Sequence, residues 1–419
     1  MIKGHHAILI EKPQDAIRIM QQIGVDPGAL PYMMPKSIHR CLLLKDIKAQ
    51  AALILKQEML SRGGEAAIRR SALACQGETD VLLMGTLRQF ELLTDKIARQ
   101  PFGLAKLAVE IKQILENLQT ETQTMELANG KSLSLENRTV IMGILNITPD
   151  SFSDGGKYLQ TDAALARAVE MTEQGADIID VGAVSSRPDA ELASETEEIE
   201  RIAPVVERLC QQGITVSVDT FRPRVAEICL QIGAHLINDI GRLQLEPGLL
   251  EILVEYQAPV VLMHNGNCLE VMKGLPEYQA PVVLMHNRLQ MRRGEPYNDI
   301  VADIIAELQE SIDQATSGGL DRSKIIIDPG IGFGKDVAQN RLLIKRLWEF
   351  KSMGLPILLG ASRKRFIGQT LDTEVHDRLE GSLAVAALGI MNGANIIRVH
   401  DVLASKRLAQ MMDAVRNEQ

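Results

Sequence analysis

Polar and charged residues follow a series of short apolar runs in the chain from Ile141 onward. Carboxylates occur at Asp219 and Asp328, and cationic side chains occur at Lys364 and Arg398. Each of them stands at the end of a run rich in isoleucine, valine and leucine. If the runs are parallel strands, their carboxyl ends lie on one rim and these side chains converge there. Carboxylates and cations gathered on one rim indicate an active site.

The apolar runs themselves predict the fold. There are eight of them: IMGILN, DIIDVGA, TVSVDT, HLINDI, PVVLMHN, IIIDPG, PILLGAS and NIIRVHD. Continuous apolar runs are typical of parallel strands buried on both faces. Stretches with helical spacing, such as AALARAVEMTEQGA, lie between them. Eight strand–helix units predict an α/β fold, the TIM (β/α)8 barrel, in which the strand ends carry the active site.

A duplicated segment interrupts the spacing of these units. The sequence EYQAPVVLMHN occupies residues 255–265 and again residues 277–287, a shift of 22 positions (277 − 255). The fifth and sixth runs begin 65 residues apart (325 − 260), whereas the other intervals lie between 21 and 39. We therefore interpret the duplication as an insertion in the fifth unit. A full helical segment precedes the first copy and favours it as strand five, although RLQMRRGEPYNDIVADI also continues naturally from the second.

The chain divides into two predicted domains. Residues 1–123 predict a smaller α/β domain, because strand-like HAILIE, RCLLLK and DVLLMGT are interspersed with helical stretches such as AQAALILKQEMLSRGG. Residues 124–419 predict the barrel. A polar segment with an Asn-Gly turn signal at the start of the barrel domain predicts a hairpin that closes the bottom of the barrel. The residue pattern of the smaller domain assigns no chemistry to it.

Composition limits the classes of partner and the cellular location. The formal net charge of −9 argues against nucleic acid or an anionic membrane surface as the main partner. The five cysteines form no CxxC pair and are odd in number, which is typical of isolated thiols in a reducing compartment. No run of 18 apolar residues and no signal peptide can be recognised. These features predict a cytoplasmic protein that does not span a membrane.

Seven motifs resemble those of dihydropteroate synthases in order and spacing. They are GILNITPDSFSDGG (143–156), SVDT (217–220), INDI (237–240), DPGIGFGK (328–335), GASRKRFIG (360–368), RLEGSLA (378–384) and IIRVHDV (396–402). The resemblance implies a transferase of folate biosynthesis that joins 6-hydroxymethyl-7,8-dihydropterin diphosphate to p-aminobenzoate, releases diphosphate and uses Mg²⁺. It also implies a homodimer that contacts through the late helices of the barrel.

The resemblance implies a role for each matching residue. The implied pterin contacts are Asp219, Asn238, Asp328 and Lys364. The implied diphosphate contacts are Arg187, Arg398 and His400, and the implied Mg²⁺ ligand is Asn146. The implied p-aminobenzoate region comprises Thr148, Pro149, Ser186, Pro188, Phe333 and Lys364. Met263 is predicted to contact substrate at the rim. Lys364, Arg398 and His400 are the candidate catalytic residues, because stabilisation of a departing diphosphate dominates such chemistry.

The loop after the second run departs from the family. It reads GAVSSRP where the family has GGESTRP, so Ala183, Val184 and Ser186 replace glycine, glutamate and threonine. Arg365 also stands where a small serine is common. Because these changes surround the implied arylamine slot, we expect an altered response to sulfonamide drugs, which mimic p-aminobenzoate.

Other interpretations of the pattern remain open. A pterin-dependent methyltransferase would share the barrel but would not need Arg398 and His400 as diphosphate contacts. A non-catalytic pterin-binding protein would follow if the changed loop had destroyed the arylamine slot. His400 taken alone could be a core histidine. The glycine-rich GIGFGK lacks the GxxxxGK[ST] spacing of a nucleotide loop, so its glycines are better explained by a tight turn beneath a flat ligand.

Overall fold

The computed structural model describes residues 4–120, 124–147, 157–183, 194–265 and 297–418. The chain forms two compact units, residues 1–120 and 121–419. The second copy of the duplicated segment, residues 277–287, lies outside the described residues. No helix within the described ranges is long and apolar enough to cross a membrane.

The N-terminal unit is a three-stranded antiparallel sheet with helices. Its helices are α1 (Pro13–Ile23), α2 (Leu30–Ser37), α3 (Ala49–Leu60), α4 (Leu87–Ile97) and α5 (Leu104–Asn117), and its strands are β1 (His39–Lys48), β2 (Glu65–Ile68) and β3 (Glu78–Thr86). The strands pair in the order β1-β3-β2. Alternation places Leu42 and Leu44 of β1 in the core, where α3 to α5 contribute Leu55, Phe90 and Ile111.

One predicted strand of the N-terminal unit is wrong. RCLLLK and DVLLMGT form β1 and β3, but HAILIE, residues 6–11, lies outside every helix and strand. Its apolar side chains Ile8 and Leu9 are 53% and 80% exposed. A short apolar run forms a strand only where a neighbouring strand accepts its hydrogen bonds, and the three paired strands of this sheet leave this run unpaired.

The second unit is a TIM barrel, as the apolar runs predicted. Its eight parallel strands among the described residues are β6 (Val140–Asn146), β7 (Ile178–Gly182), β8 (Val216–Asp219), β9 (Leu236–Asp239), β10 (Val260–Met263), β11 (Ile325–Asp328), β12 (Leu358–Leu359) and β13 (Ile396–Val399), preceded by the short strands β4 (Thr124–Glu126) and β5 (Ser132–Ser134). The sheet order runs from β11 back to β6 and then through β13 to β12. A parallel bridge between Ile327 and Ile357 joins its two ends.

Nine described helices surround this barrel. They are α6 (Lys157–Glu173), α7 (Glu195–Gln211), α8 (Pro223–Gln231), α9 (Leu249–Glu255), α10 (Ile300–Ser317), α11 (Val337–Lys345), α12 (Arg365–Leu371), α13 (Leu379–Met391) and α14 (Val402–Asn417). Outward-facing strand residues such as Val216, Val218 and Ile237 share one apolar cluster with helix residues such as Leu209 and Leu308. The main core therefore lies between the sheet and its helices.

A hairpin closes the amino-terminal end of the barrel, which confirms the Asn-Gly prediction. Strands β4 and β5 pair antiparallel, and Asn129 adopts a positive φ of 59° in the turn between them. Met125 and Leu133 of the hairpin pack in one cluster with the inner barrel residues Met142 and Ile178. The bottom of the barrel is therefore filled by apolar side chains.

The first copy of the duplicated segment supplies the fifth strand. Val260–Met263 forms β10, which pairs with β9 on one side and β11 on the other. Helix α9 precedes it, as the helical pattern before the first copy indicated.

Candidate active site

Strand alternation brings the predicted polar residues to the inner face of the barrel. On β7 and β13, Ile178 and Ile396 belong to the apolar bottom layer, and two residues further along stand Asp180 and Arg398. Successive side chains of a strand point to opposite faces, so residues two apart share a face. The same step of two leads from Ile326 to Asp328. The upper inner layer is therefore polar where the lower layer is apolar.

Arg398 joins two carboxylates at the centre of this upper layer. Its Nε donates to Asp180 Oδ2 at 2.6 Å, and one terminal nitrogen donates to Asp219 Oδ2 at 2.8 Å. Asn238 Nδ2 also donates to Asp180 Oδ2, at 3.0 Å. A planar guanidinium can bridge two acceptors in fixed geometry. Side chains of four strands, β7, β8, β9 and β13, are thus held in one hydrogen-bonded cluster.

Two buried polar atoms of this layer lack a hydrogen-bond partner within the described part of the chain. They are Asp180 Oδ1 and the Ser217 hydroxyl. Buried polar groups are normally hydrogen-bonded, so unpaired ones at the mouth of a barrel indicate a place where a polar ligand binds. Ser217 stands two residues before Asp219 on β8, on the same inner face.

Glycines leave space beside the carboxylates. A side chain at Gly182 would put its Cβ 3.3 Å from Asp219 Cβ, and one at Gly360 would lie 3.7 Å from Asp328 Oδ2. Asp328 itself is buried, and its Oδ1 accepts from the backbone N–H of Gly330 at 2.7 Å. The small residues therefore keep the inner mouth open around Asp219 and Asp328.

Lys364 lies at the start of α12 and extends over the loop that follows β11. Its Nζ donates to the carbonyl of Ile331 and lies 4.3 Å from the centre of the Phe333 ring. A cation over an aromatic face is attracted by the ring quadrupole. The ammonium group and the aromatic ring therefore form one surface. That this surface binds p-aminobenzoate stays a prediction.

His400 follows the end of β13 and contacts the loop after β12. Its Nδ1 lies 3.1 Å from Ser362 Oγ, and its backbone N–H donates to the same hydroxyl at 3.2 Å. Beside it, Arg363 forms a two-pronged ion pair with Asp401 at 2.9 and 2.5 Å. These contacts fix the loop between β12 and α12, which also carries Lys364.

Burial shifts the pKa values of the charged site residues. It raises the pKa of Asp219 to about 7, against the opposing effect of Arg398. Burial also raises the pKa of Asp328, against Lys364. Burial lowers the pKa of Lys364 to about 8, against Asp328. Asp219 and Lys364 therefore change charge close to neutral pH.

His400 is neutral at neutral pH. Burial, together with the neighbouring guanidinium groups of Arg398 and Arg363, lowers its pKa to about 4. The ring therefore offers a hydrogen bond rather than a positive charge, and Arg398 and Lys364 supply the cationic character of this part of the site.

The structure brings together most of the predicted site residues that it describes. Asp219, Asn238, Asp328, Lys364, Phe333, Arg398 and His400 lie on strand ends and loops of one rim. Met263 ends β10 and is 4% exposed, while Asn146 ends β6 and is exposed. The predictions for Thr148, Pro149, Ser186, Arg187 and Pro188 lie outside the described residues.

The sequence interpretation assigned no role to three residues that the structure places at or beneath the site. Asp180 and Ser217 belong to the central polar layer, and Lys335 is buried beside the loop after β11. Asp180 is one of the polar residues of the predicted strand run DIIDVGA, but the family resemblance gave it no role. Lys335 is part of DPGIGFGK, but nothing in its spacing shows which atoms its side chain contacts.

Asp239 illustrates that a polar residue next to a site residue in the sequence need not belong to the site. It follows Asn238 directly, yet its carboxylate accepts from the backbone N–H groups of Gly241 and Leu243, both at 2.6 Å. Neighbouring strand residues face opposite sides of the sheet. Asp239 therefore shapes the loop after β9, and Asn238 alone of the two joins the central cluster.

The donors at the rim fit Mg²⁺ only as an ion shared with substrate. Asn146 offers one exposed amide oxygen at the end of β6. The described residues contain no group of three or more histidine, cysteine or acidic side chains placed to hold a metal. Mg²⁺ commonly keeps several waters and binds substrate phosphates together with one or two protein oxygens. Asn146 fits that kind of site, and the described residues do not form an all-protein metal cage.

Fold and site together define a class of protein: a TIM barrel whose open mouth binds a small polar ligand among buried carboxylates and cations. The sequence pattern of the pterin binding enzymes matches residues 142–276 and 268–400. The two matches overlap between the two copies of the duplicated segment, where an insertion would interrupt the family pattern.

Two relatives show how much of the chain is shared. The dihydropteroate synthase of Bacillus subtilis is 43% identical over 288 residues, covering 68% of this chain and 92% of that protein. A probable bifunctional folylpolyglutamate synthase/dihydropteroate synthase of Halobacterium salinarum is 34% identical over 407 residues, 97% of this chain and 46% of that protein. The longer match therefore includes most of the N-terminal unit.

Solved structures agree with these relatives. Dihydropteroate synthase of Xanthomonas albilineans in complex with 7,8-dihydropteroate is 36% identical, with a TM-score of 0.60 over 71% of this chain and all of that one. The same enzyme with 4-aminobenzoic acid is 37% identical, with a TM-score of 0.60 over 70% of this chain and 100% of that one. The chain belongs to the dihydropteroate synthase family of pterin binding enzymes and is a transferase.

Proposed function

We propose that the chain condenses 6-hydroxymethyl-7,8-dihydropterin diphosphate with p-aminobenzoate to give 7,8-dihydropteroate and diphosphate. The observation that carries the proposal is the inner layer in which Asp180, Asp219 and Asn238 surround Arg398 beside buried Asp328. The related Xanthomonas enzyme has been seen with 7,8-dihydropteroate and with 4-aminobenzoic acid. Family membership and this layer support the same chemistry.

The carboxylates are suited to a pterin ring. A pterin presents an amino group and ring N–H donors along one edge, and an ionised carboxylate accepts several such bonds at once. Asp219 and Asp328 end β8 and β11, which are separated by β9 and β10 in the sheet, and Asp180 Oδ1 and Ser217 offer further polar atoms. An apolar pocket would leave the pterin donors unpaired, at a large cost in affinity.

The cations are suited to the leaving group. In the proposed reaction the bond between the pterin methylene carbon and the diphosphate oxygen breaks, and its electron pair leaves with diphosphate. The arylamine nitrogen then forms the new bond to the methylene carbon, and an amine proton passes to solvent. Arg398 and Lys364 stabilise the negative charge that develops on diphosphate, and neutral His400 contributes a hydrogen bond.

Mg²⁺ is proposed as the metal of the reaction. Asn146 would hold it by its amide oxygen, together with waters and oxygens of the diphosphate. When bound, the ion supplies further neutralisation of the phosphate charge. Arg398 and Lys364 bind the same anion directly.

A homodimer and a cytoplasmic location are proposed on separate grounds. Helices α13 and α14 expose Leu388, Met391, Leu403, Met411 and Val415, by 43% to 63%. Exposed apolar side chains grouped on adjacent helices are typical of subunit interfaces. Analytical ultracentrifugation of the full chain tests the dimer.

The cytoplasmic location is supported by the cysteines. The described ones, Cys41, Cys75, Cys210 and Cys229, are free thiols, as is typical of proteins in reducing compartments.

Product formation tests the proposed reaction. The full chain is incubated with the pterin diphosphate, p-aminobenzoate and Mg²⁺, and 7,8-dihydropteroate is measured by chromatography. We expect product only when both substrates are present, and a reduced rate when Mg²⁺ is removed with a chelator. A folded chain that binds pteroic acid but forms no product would contradict the proposal and support a non-catalytic pterin-binding protein.

A further inference from the structure

The loop after β11, residues 329–335, forms the surface beneath the candidate site. Gly330, Gly332 and Gly334 all adopt positive φ angles, of 69°, 84° and 60°. The loop presents the Gly330 N–H to Asp328, the Ile331 carbonyl to Lys364 and the Phe333 ring to the same ammonium group. The shape of this loop therefore decides where Asp328 and Lys364 point.

Lys335, the last residue of this loop, folds its side chain back against the loop backbone. Its side chain is 3% exposed, and its Nζ donates to the carbonyls of Gly330 at 2.9 Å and Phe333 at 3.0 Å. A lysine ammonium group has three donors and no acceptor. Two of the donors thus hold the backbone on either side of Ile331 and Gly332, the residues that contact Lys364.

The third polar contact of Lys335 leads to His264 at the end of strand five. Lys335 Nζ lies 2.9 Å from His264 Nδ1, and His264 Nε2 lies 3.2 Å from Glu307 Oε2 on α10. Because the ammonium group can only donate, Nδ1 must be the acceptor and the ring proton lies on Nε2, facing Glu307. Burial and Lys335 lower the pKa of His264 to about 3, which keeps the ring neutral.

Backbone contacts also join the end of strand five to the loop after β11. His264 N–H donates to the carbonyl of Asp328 at 2.8 Å, and a Cβ placed on Gly330 would lie 1.7 Å from the His264 carbonyl oxygen. The end of strand five therefore lies directly against the start of the loop. A side chain at Gly330 would therefore displace the loop or the end of strand five.

We propose that Lys335, oriented by His264, is a positioning residue for the reaction: it fixes the loop after β11 so that Asp328 and Lys364 face the substrates. Neither residue touches the open mouth, so each acts through the loop. The inference deepens the proposed function and rests on it for its kinetic test, while ligand binding provides a second test that does not require turnover.

The duplicated segment provides a matched control. His264 in the first copy and His286 in the second stand in the same eleven-residue sequence, EYQAPVVLMHN. His264→Leu removes a side-chain acceptor that the described residues show for Lys335, His264 Nδ1. His286→Leu makes the same chemical change in an identical local sequence. His264→Asn is the conservative variant, because its amide oxygen occupies approximately the place of Nδ1.

Three quantities are measured for each variant: kcat/KM for dihydropteroate formation, affinity for pteroic acid by calorimetry, and the midpoint of thermal unfolding. We expect Lys335→Met and His264→Leu to lower kcat/KM by about 100-fold, the cost of a small misplacement of reacting groups. Pteroic acid affinity should fall about tenfold in both. His264→Asn should retain most activity, and His286→Leu should match the wild type.

A double variant separates positioning from stability. His264→Leu alone removes one acceptor of the buried Lys335 ammonium group, which keeps the Gly330 and Phe333 carbonyls as partners, and should lower the unfolding midpoint. His264→Leu combined with Lys335→Met replaces both by apolar groups and should restore the midpoint while kcat/KM and affinity stay low. Recovery of both kinetics and affinity in the double variant would show a merely structural pair and overturn the inference. A wild-type chain that binds pteroic acid without turnover would refute the proposed reaction, and the affinities of the variants would still decide the inference.

Discussion

The two inner layers of the barrel differ in kind although the same strands supply both. The lower layer includes Ile178, Leu236, Ile326 and Ile396, which share an apolar cluster with the hairpin of β4 and β5. Two residues further along the strands, the upper layer contains Asp180, Asn238, Asp328 and Arg398, joined by hydrogen bonds or lying beside buried polar atoms. The lower layer fills space and the upper layer presents chemistry.

Two residues of one strand can therefore have different roles, one in stability and one in function. In β11, Ile326 is fully buried in the apolar cluster and Asp328 lies at the mouth. Burial of the lower residue contributes stability, whereas the upper residue tolerates a shifted pKa that a purely structural position would not require. Variants in the two layers should therefore affect different measurements.

The largest effect is expected from Asp219→Ala in the upper layer. The change removes a carboxylate that accepts from Arg398 and is proposed to accept from the pterin, so turnover should fall about 1000-fold. The free energy of unfolding should change by less than about 1 kcal/mol, because Arg398 retains Asp180 as a partner. Steady-state kinetics and pteroic acid calorimetry measure the loss of function, and urea unfolding measures the change in stability. Unchanged pterin affinity would contradict the assigned contact.

Met142→Ala makes the opposite change in the lower layer. Met142 is fully buried between strand and hairpin, so its truncation should lower the free energy of unfolding by about 3 kcal/mol. The KM values for both substrates should remain as in the wild type at a temperature where the variant is folded. The free energy of unfolding is measured in urea for the Met142→Ala and Asp219→Ala proteins in parallel. A large rise in KM without loss of stability would break the distinction between the layers.

The pH dependence of the wild type sharpens the same comparison. Asp219, with a pKa raised to about 7, becomes ionised as pH rises through that value and can then accept from the pterin. Lys364, with a pKa lowered to about 8, loses its charge as pH rises further. We expect kcat/KM to rise up to pH 7 and to fall above pH 8, with slopes of about tenfold per pH unit. A profile that stays flat from pH 5 to pH 10 would contradict both assignments.

The positions of the barrel strands could be predicted from the sequence more fully than the contacts between side chains could. Continuous apolar runs identify all eight barrel strands because parallel strands must be buried on both faces, and strand ends then place Asp219 and Arg398 on one rim. Parity along a strand would also have separated Asn238 from Asp239. The roles of Lys335 and His264 could not be predicted, because they depend on a loop conformation and on a contact between residues 71 positions apart.

Deletion of Gly266 to Asn287 should have a small effect. It removes 22 residues (287 − 265) and joins the first copy of the duplicated segment directly to RLQMRRGEPYNDI. Because the first copy already supplies β10 and His264, the shortened chain keeps every described site residue. We expect a folded protein with kcat/KM within about threefold of the wild type, since loop length has little effect on stability. An insoluble product would show that the inserted segment is required for folding.

The most direct test of the account is to compare the barrel unit alone, residues 121–419, with the full chain in the dihydropteroate assay. Every described candidate site residue lies in this unit, and the Bacillus subtilis synthase matches only 68% of the chain. We expect both proteins to form 7,8-dihydropteroate with kcat/KM values within about twofold of each other, since a compact unit with its own core can fold alone. A folded barrel unit without activity, beside an active full chain, would contradict the claim that the barrel unit carries the complete catalytic site.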